Sequence, residues 1–213
     1  MSDLEPVRAP LVVIAERMRR KAAENPEPIV YPESPSTLTR ADRWMTRVWP
    51  RFSTATVDDV APAAREHLAG WVTKSFEQSV GGVILTGEVG SGKTHTAVAL
   101  AREMFLAGRS VEMWATVDLL DALRPEGDET VKSLASVDVL LLDDVGAERP
   151  TEWVSERMYA LINRRWLYER PTICTTNLEL DELQMGLGAR AASRLLHDAL
   201  VVHVGGADRR LSV

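Results

Sequence analysis

At 213 residues, with 45% hydrophobic and 26% charged residues, the chain has room for one α/β domain and a short appendage. A formal net charge of −6 excludes a uniformly basic, DNA-coating surface, so contact with nucleic acid would need a local basic patch. No apolar run approaches the roughly 20 residues that span a bilayer, the N-terminus lacks a signal-peptide pattern, and the lone Cys174 excludes an internal disulfide, so a cytoplasmic protein is expected.

Residues 1–50 differ from the rest, holding seven of the eleven prolines, at 6, 10, 26, 28, 32, 35 and 50. Between them, 11–24 can form a helix with Leu11, Ile14, Ala15, Met18 and Ala22 on one stripe and Arg17, Arg19, Arg20 and Lys21 opposite. Residues 25–35 read as an extended linker, and a second short helix over 39–48 carries Trp44. Two readings stand: a solvated tail, or a segment whose apolar stripe docks on a partner. The chain accordingly divides into a partner-docking segment and linker, 1–50, and a main domain, 51–213.

From residue 54 the pattern becomes regular. A helix is expected over 58–76, with Val60, Ala64, Leu68, Trp71 and Val72 at spacings of three or four. A strand follows at 83–85 and a helix at 96–106. Residues 110–115 alternate as a strand, and two short helices, 118–123 and 130–135, flank a break at 125–128. The apolar run 137–142 is expected to be a central parallel strand. A long helix over 151–168, a strand at 172–175 and another at 199–204 complete the series. Strands alternating with helices predict a parallel, five-stranded sheet flanked by helices.

The sharpest signal lies between the first of those strands and its helix. Gly87-Glu88-Val89-Gly90-Ser91-Gly92-Lys93-Thr94 fits the P-loop pattern, followed by His95. Glycines there let backbone N–H groups close around phosphates at a helix N-terminus, where the helix dipole favours an anion. Lys93 would reach the β- and γ-phosphates of ATP, and the Thr94 hydroxyl would hold Mg²⁺. Fifty residues after Lys93, Val139-Leu140-Leu141-Leu142-Asp143-Asp144 has the form of a Walker B strand. Asp143 would bind Mg²⁺, and Asp144 would act as general base or position the attacking water. Thr175-Thr176-Asn177 ends the next strand, where Asn177 would bond the γ-phosphate or water, cap the following helix, or both.

Together the P-loop, the L-L-L-D-D-V-G run at 140–146 and T-T-N at 175–177 resemble an AAA+ ATPase. The stretch L-G-A-R-A-A-S-R-L at 187–195 and the R-R-x-x-x-x-R-P spacing at 164–171 narrow the resemblance to the bacterial and phage DnaC/DnaI-type helicase loaders, a group that includes the transposition helper IstB. The likeness covers roughly residues 52–213. It implies that Asn177 is sensor 1 and that Arg194 is an arginine finger reaching the nucleotide of a neighbouring subunit, with Arg190 its companion. It also implies that Arg210, or else Arg209, is the sensor 2 arginine. Arginine fingers contribute on the order of 10³–10⁵ in rate, so hydrolysis would depend on assembly.

Two departures from the family pattern stand out. The acidic pair is Asp-Asp where most AAA+ proteins have Asp-Glu, so slow hydrolysis is expected. Three residues follow Arg210, so no full C-terminal lid domain is expected. The resemblance further implies single-stranded DNA binding near the helix after Walker B, through Arg149, Thr151, Trp153 and Arg157, with Trp153 stacking on a base. The plain alternative is that Trp153 belongs to the core. The family's initiator-type insertion looks short here, at Arg124 and 125–128.

The expected function is an ATP-dependent loader that binds a replicative DnaB-type helicase through residues 1–50, binds single-stranded DNA, and forms a homo-oligomer through the Arg194 face. Rival readings are an IstB-type transposition helper, which shares every motif, and a nucleotide-gated DNA-binding scaffold with little hydrolysis. A small P-loop kinase would need an arginine-rich lid and an acceptor pocket, and neither is legible.

Overall fold

Short runs of β-branched and leucine side chains build the strands. They are β1 (Val83–Thr86), β2 (Val111–Ala115), β3 (Val139–Asp143), β4 (Thr172–Thr175) and β5 (Leu200–His203). A computed structural model describes residues 39–77, 80–147 and 151–205. All strand pairings are parallel, in the order β2-β3-β4-β1-β5. The central strands β3, β4 and β1 are largely buried because both faces are covered, and their middles are apolar.

The pleat sorts their side chains between two cores. Val83, Leu85, Val139, Leu141 and Ile173 face one core, with helices α1 (Arg40–Met45), α2 (Pro62–Glu77) and α3 (Lys93–Leu106). Ile84, Leu140, Leu142 and Cys174 face the other, with α4 (Thr116–Ser136), α5 (Glu152–Leu167), α6 (Leu180–Leu187) and α7 (Ala189–Leu196). The α/β sandwich with a five-stranded parallel sheet is the one expected. None of the helices among the described residues is long and apolar enough to cross a membrane.

Three local expectations change. The helix expected over 58–76 is a 3₁₀ turn, Val57–Asp59, followed by α2. Thr56 and Asp59 close that turn with a capping box, after which Val60 is extended. The chain before Pro62 is then kept out of the helical region, and proline opens the next helix. The break expected at 125–128 is absent, because α4 runs unbroken through Pro125. Leu119, Leu120, Leu123, Val131, Leu134 and Ala135 are all buried in one core. That packing offsets the roughly 3 kcal/mol that an interior proline costs. Finally, β3 starts at Val139 because Asp138 accepts hydrogen bonds from the N–H and hydroxyl of Ser110. The helix expected over 11–24, the linker at 25–35 and the sensor 2 segment at 206–210 lie outside the described residues.

Candidate nucleotide site

The P-loop joins the buried end of β1 to the first turn of α3. Gly87, Gly90 and Gly92 have φ of 139°, 82° and 99°, a region that favours glycine. A Cβ on Gly87 would also lie 2.4 Å from the Val204 carbonyl oxygen. The first N–H groups of α3 open onto this loop, with the positive end of the helix dipole behind them. Lys93 is only 7% exposed, and its ammonium donates to the carbonyl oxygens of Gly87 at 2.8 Å and Glu88 at 2.7 Å. Ser91 is buried, and among the described residues its hydroxyl has no hydrogen-bond partner. A buried hydroxyl left unpaired costs about 1–3 kcal/mol, so this loop fits an anionic guest that would satisfy it. Glu88 and Val89 form the exposed tip. His95 turns away, its Nε2 lying 3.3 Å from Asp59 Oδ2. Asp59 is itself held below the usual carboxylate range, first by the Thr56 hydroxyl.

Across from the loop, β3 delivers Asp143 half-buried. The Thr94 hydroxyl donates to Asp143 Oδ2 at 3.2 Å, and the Thr175 hydroxyl to Oδ1 at 2.7 Å. Burial pushes the Asp143 carboxyl up, against the pull of those two hydroxyls and with the help of neighbouring Asp144. A carboxylate beside a threonine hydroxyl offers the hard oxygen donors that suit Mg²⁺. Among the described residues no three His, Cys, Asp or Glu side chains gather into a metal cage. Phosphate oxygens and water would complete the shell of an ion held there.

Asp144 adopts a left-handed backbone, φ 59°. Asp tolerates that region better than most side chains, and such strain concentrates at functional sites. Its N–H donates to Thr175 Oγ1 at 2.8 Å, and its Oδ1 accepts from Asn177 Nδ2 at 2.8 Å. Two further bonds lace β3 to β4: Val145 N–H to the Thr175 carbonyl, and the Thr176 hydroxyl to the Val145 carbonyl, both 2.8 Å. The Thr176 N–H reaches Leu85 of β1 at 3.0 Å. Asn177 is thereby committed to Asp144 and does not cap α6, whose N-cap is Glu179 in a capping box with Glu182. Thr175 is the residue that sequence reasoning passed over. Its hydroxyl serves both aspartates, but a threonine ending a strand reads as a β-former.

The remaining candidates lie elsewhere. Thr151 caps α5 by accepting from the Val154 N–H. Trp153 is half-buried against the second core, with the Arg124 guanidinium 5.2 Å from its ring centroid. Arg157 pairs with Asp128 at 3.2 Å. Arg149, Arg209 and Arg210 are outside the described residues. Arg190 is exposed and Arg194 half-buried on α7, and Arg194 lies 3.8 Å from the Trp166 ring centroid. Arg194 also lines a groove of about 970 Å³ with Gly82, Thr172 and Leu200. Those residues mark the N-terminal edge of the sheet, so the groove is at the opposite edge from the P-loop.

Comparison with known proteins adds the relatives. The family model described as IstB-like ATP binding protein matches residues 57–213. The replicative helicase loader DnaC of Escherichia coli K12 is 26% identical over 129 residues, covering 57% of this chain and 53% of that protein. The chain thus spans about half the length of the curated relatives it matches. Among solved structures, DnaI superposes with a TM-score of 0.66 at 23% identity, over 76% of this chain and 94% of that one. The DnaC helicase loader gives 0.64 at 23% identity, over 74% and 100%. The structural likenesses speak for the fold alone.

Proposed function

The chain belongs to the IstB-like ATP-binding proteins, and from that membership we propose that it is an ATP-hydrolysing loader of a replicative helicase onto single-stranded DNA. The observation that carries the nucleotide half is the convergence of the P-loop, Asp143, Asp144 and Asn177 on one edge of the sheet, with Thr175 tying them together. Lys93 would bridge the β- and γ-phosphates. Thr94 and Asp143 would hold Mg²⁺, which supplies charge neutralisation for the phosphates. Asp144 would take the proton of the attacking water, with Asn177 fixing the carboxylate's orientation. An Asp in this position, shorter than the Glu most AAA+ proteins use, favours slow turnover.

Arg194 would complete the site of a neighbouring subunit, with Arg190 beside it and Arg210 acting as sensor 2. Its place on the opposite edge from its own P-loop supports a role in trans. The helicase half of the proposal rests on the likeness to DnaC, with the segment before Thr39 as the docking element. Trp153 and Arg157 would meet DNA by exchanging their present partners, Arg124 and Asp128, for bases and phosphates. A cytoplasmic location accords with all of these roles.

A second reading, an IstB-type transposition helper, is favoured by the family model itself. Capture from host lysate on the immobilised chain, with and without ATP, separates the two. Nucleotide-dependent recovery of the replicative helicase is expected, and loss of it on deleting 1–38. Recovery of a transposase instead would replace the loader reading, and recovery of neither would overturn both.

A further inference from the structure

Arg165 has its donors engaged by carbonyls and a hydroxyl, and Arg157 gives one N–H to the Asp128 carboxylate. Arg194 differs: among the described residues no hydrogen bond or ion pair engages its guanidinium, whose contact is the face of the Trp166 indole, 3.8 Å away. Stacking uses the face of a guanidinium and leaves the N–H donors along its edge free for bonds in the plane. A side chain held this way is ordered before its target arrives, yet its donors remain available.

The indole is fixed in turn. Trp166 sits near the end of α5, and the His197 ring meets its edge at 5.6 Å and 78°. His197 Nε2 lies 3.3 Å from Asp198 Oδ2. The turn that carries both is clamped to the sheet, because Leu200 N–H donates to the Gly82 carbonyl and Ala199 N–H to that of Leu196. Gly81 lets this turn approach, since a Cβ there would lie 2.0 Å from the Asp198 carbonyl oxygen. Arg190, one helical turn before Arg194, is exposed and lacks an aromatic platform among the described residues.

We propose that Trp166 is a positioning residue for Arg194, holding the guanidinium stacked and its donors directed outward so that it enters a neighbouring subunit's nucleotide site already ordered. The inference rests on the reading of Arg194 as an arginine acting in trans. It assigns the tryptophan a role in the rate of hydrolysis and none in nucleotide binding.

The test compares Trp166→Leu, which fills the space without a π face, with Trp166→Phe, which keeps one. ATP hydrolysis is followed at protein concentrations where subunits assemble. For the leucine variant kcat should fall roughly tenfold with KM for ATP unchanged, and phenylalanine should recover most of the loss. Mixing the leucine variant with Lys93→Ala, with co-assembly checked by co-purification, should restore turnover. In the mixture an intact Arg194–Trp166 pair faces the leucine variant's own working P-loop.

An unchanged kcat, a raised KM, or a loss that mixing fails to restore would overturn the proposal. If Trp166→Leu unfolds, Trp166→Met gives the same comparison, because it fills the space without a π face; hydrolysis equal to the parent's would then reject the role. Arg194→Ala separates the two levels. Full hydrolysis in that variant defeats the trans-arginine reading itself, whereas its loss beside a fully active Trp166→Leu defeats only the role of Trp166.

Discussion

Arg165 is 1% exposed, yet its guanidinium donates to the carbonyls of Leu134 (2.7 Å), Val137 (2.9 Å), Asp138 (3.4 Å) and Pro171 (2.7 Å) and to the Thr172 hydroxyl (3.0 Å). These partners end α4 and begin β3 and β4, so one side chain seals the N-terminal edge of the sheet. Burial pushes its pKa down to about 9, with nearby Arg170 adding to the effect, and the group stays charged at neutral pH. Replacing it with Met keeps the volume and strands several buried carbonyls. Arg165→Met should lose on the order of 3 kcal/mol in denaturant unfolding, with Arg165→Lys intermediate because its three donors lack the planar fork. A Met variant as stable as the parent would contradict this structural role. The position was within reach of the sequence: Met158, Leu161, Ile162 and 165 lie on one helical stripe, and the stripe selects Arg165 over Arg164. What the stripe does not reveal is that carbonyls from three other segments meet there.

Among the elements, α1 shows how a short helix acquires order. Six residues are too few to be helical alone, even with the Thr39–Asp42 capping box. Trp44, 2% exposed, lies 5.5 Å from Phe105 at the end of α3. Arg40 and Arg47 sit over the same ring at 5.4 and 5.8 Å, and Arg47 pairs with Glu112 of β2 at 3.4 Å. The core of the ATP-binding domain therefore includes Trp44 and Val48. Deleting residues 1–38 keeps Trp44 and Val48 in place and should lower the melting temperature less than deleting 1–50. Deleting 1–50 removes both side chains and should cost on the order of 3 kcal/mol or more. Equal melting temperatures for the two truncations would reject this assignment. The helix over 39–48 was legible from the sequence. Its attachment was not, because the partner surface on Phe105 and Glu112 is some sixty residues away.

At the scale of the whole molecule, the strand order decides where chemistry can happen. With β1 beside β4 and β4 beside β3, the loops that follow all three open on one edge. Arg194 lines the groove at the other. If Arg194 acts between subunits, ATP turnover per subunit should rise with protein concentration as assemblies form. Constant specific activity across the assembly range, followed by light scattering, would count against the trans arrangement. The P-loop and the Asp-Asp pair were readable in one dimension because phosphate binding and strand burial impose residue types at fixed short spacings. The parallel five-stranded sheet was readable from the alternation of short strand runs with helical stretches, which requires right-handed crossovers between parallel strands. Tertiary structure alone decided that one Thr175 hydroxyl bonds to Asp143 and Asp144, that α4 runs through a proline, and that the face of Trp166 lies against Arg194. Each of these depends on groups far apart in the chain, whose encounter is set by packing rather than by local pattern.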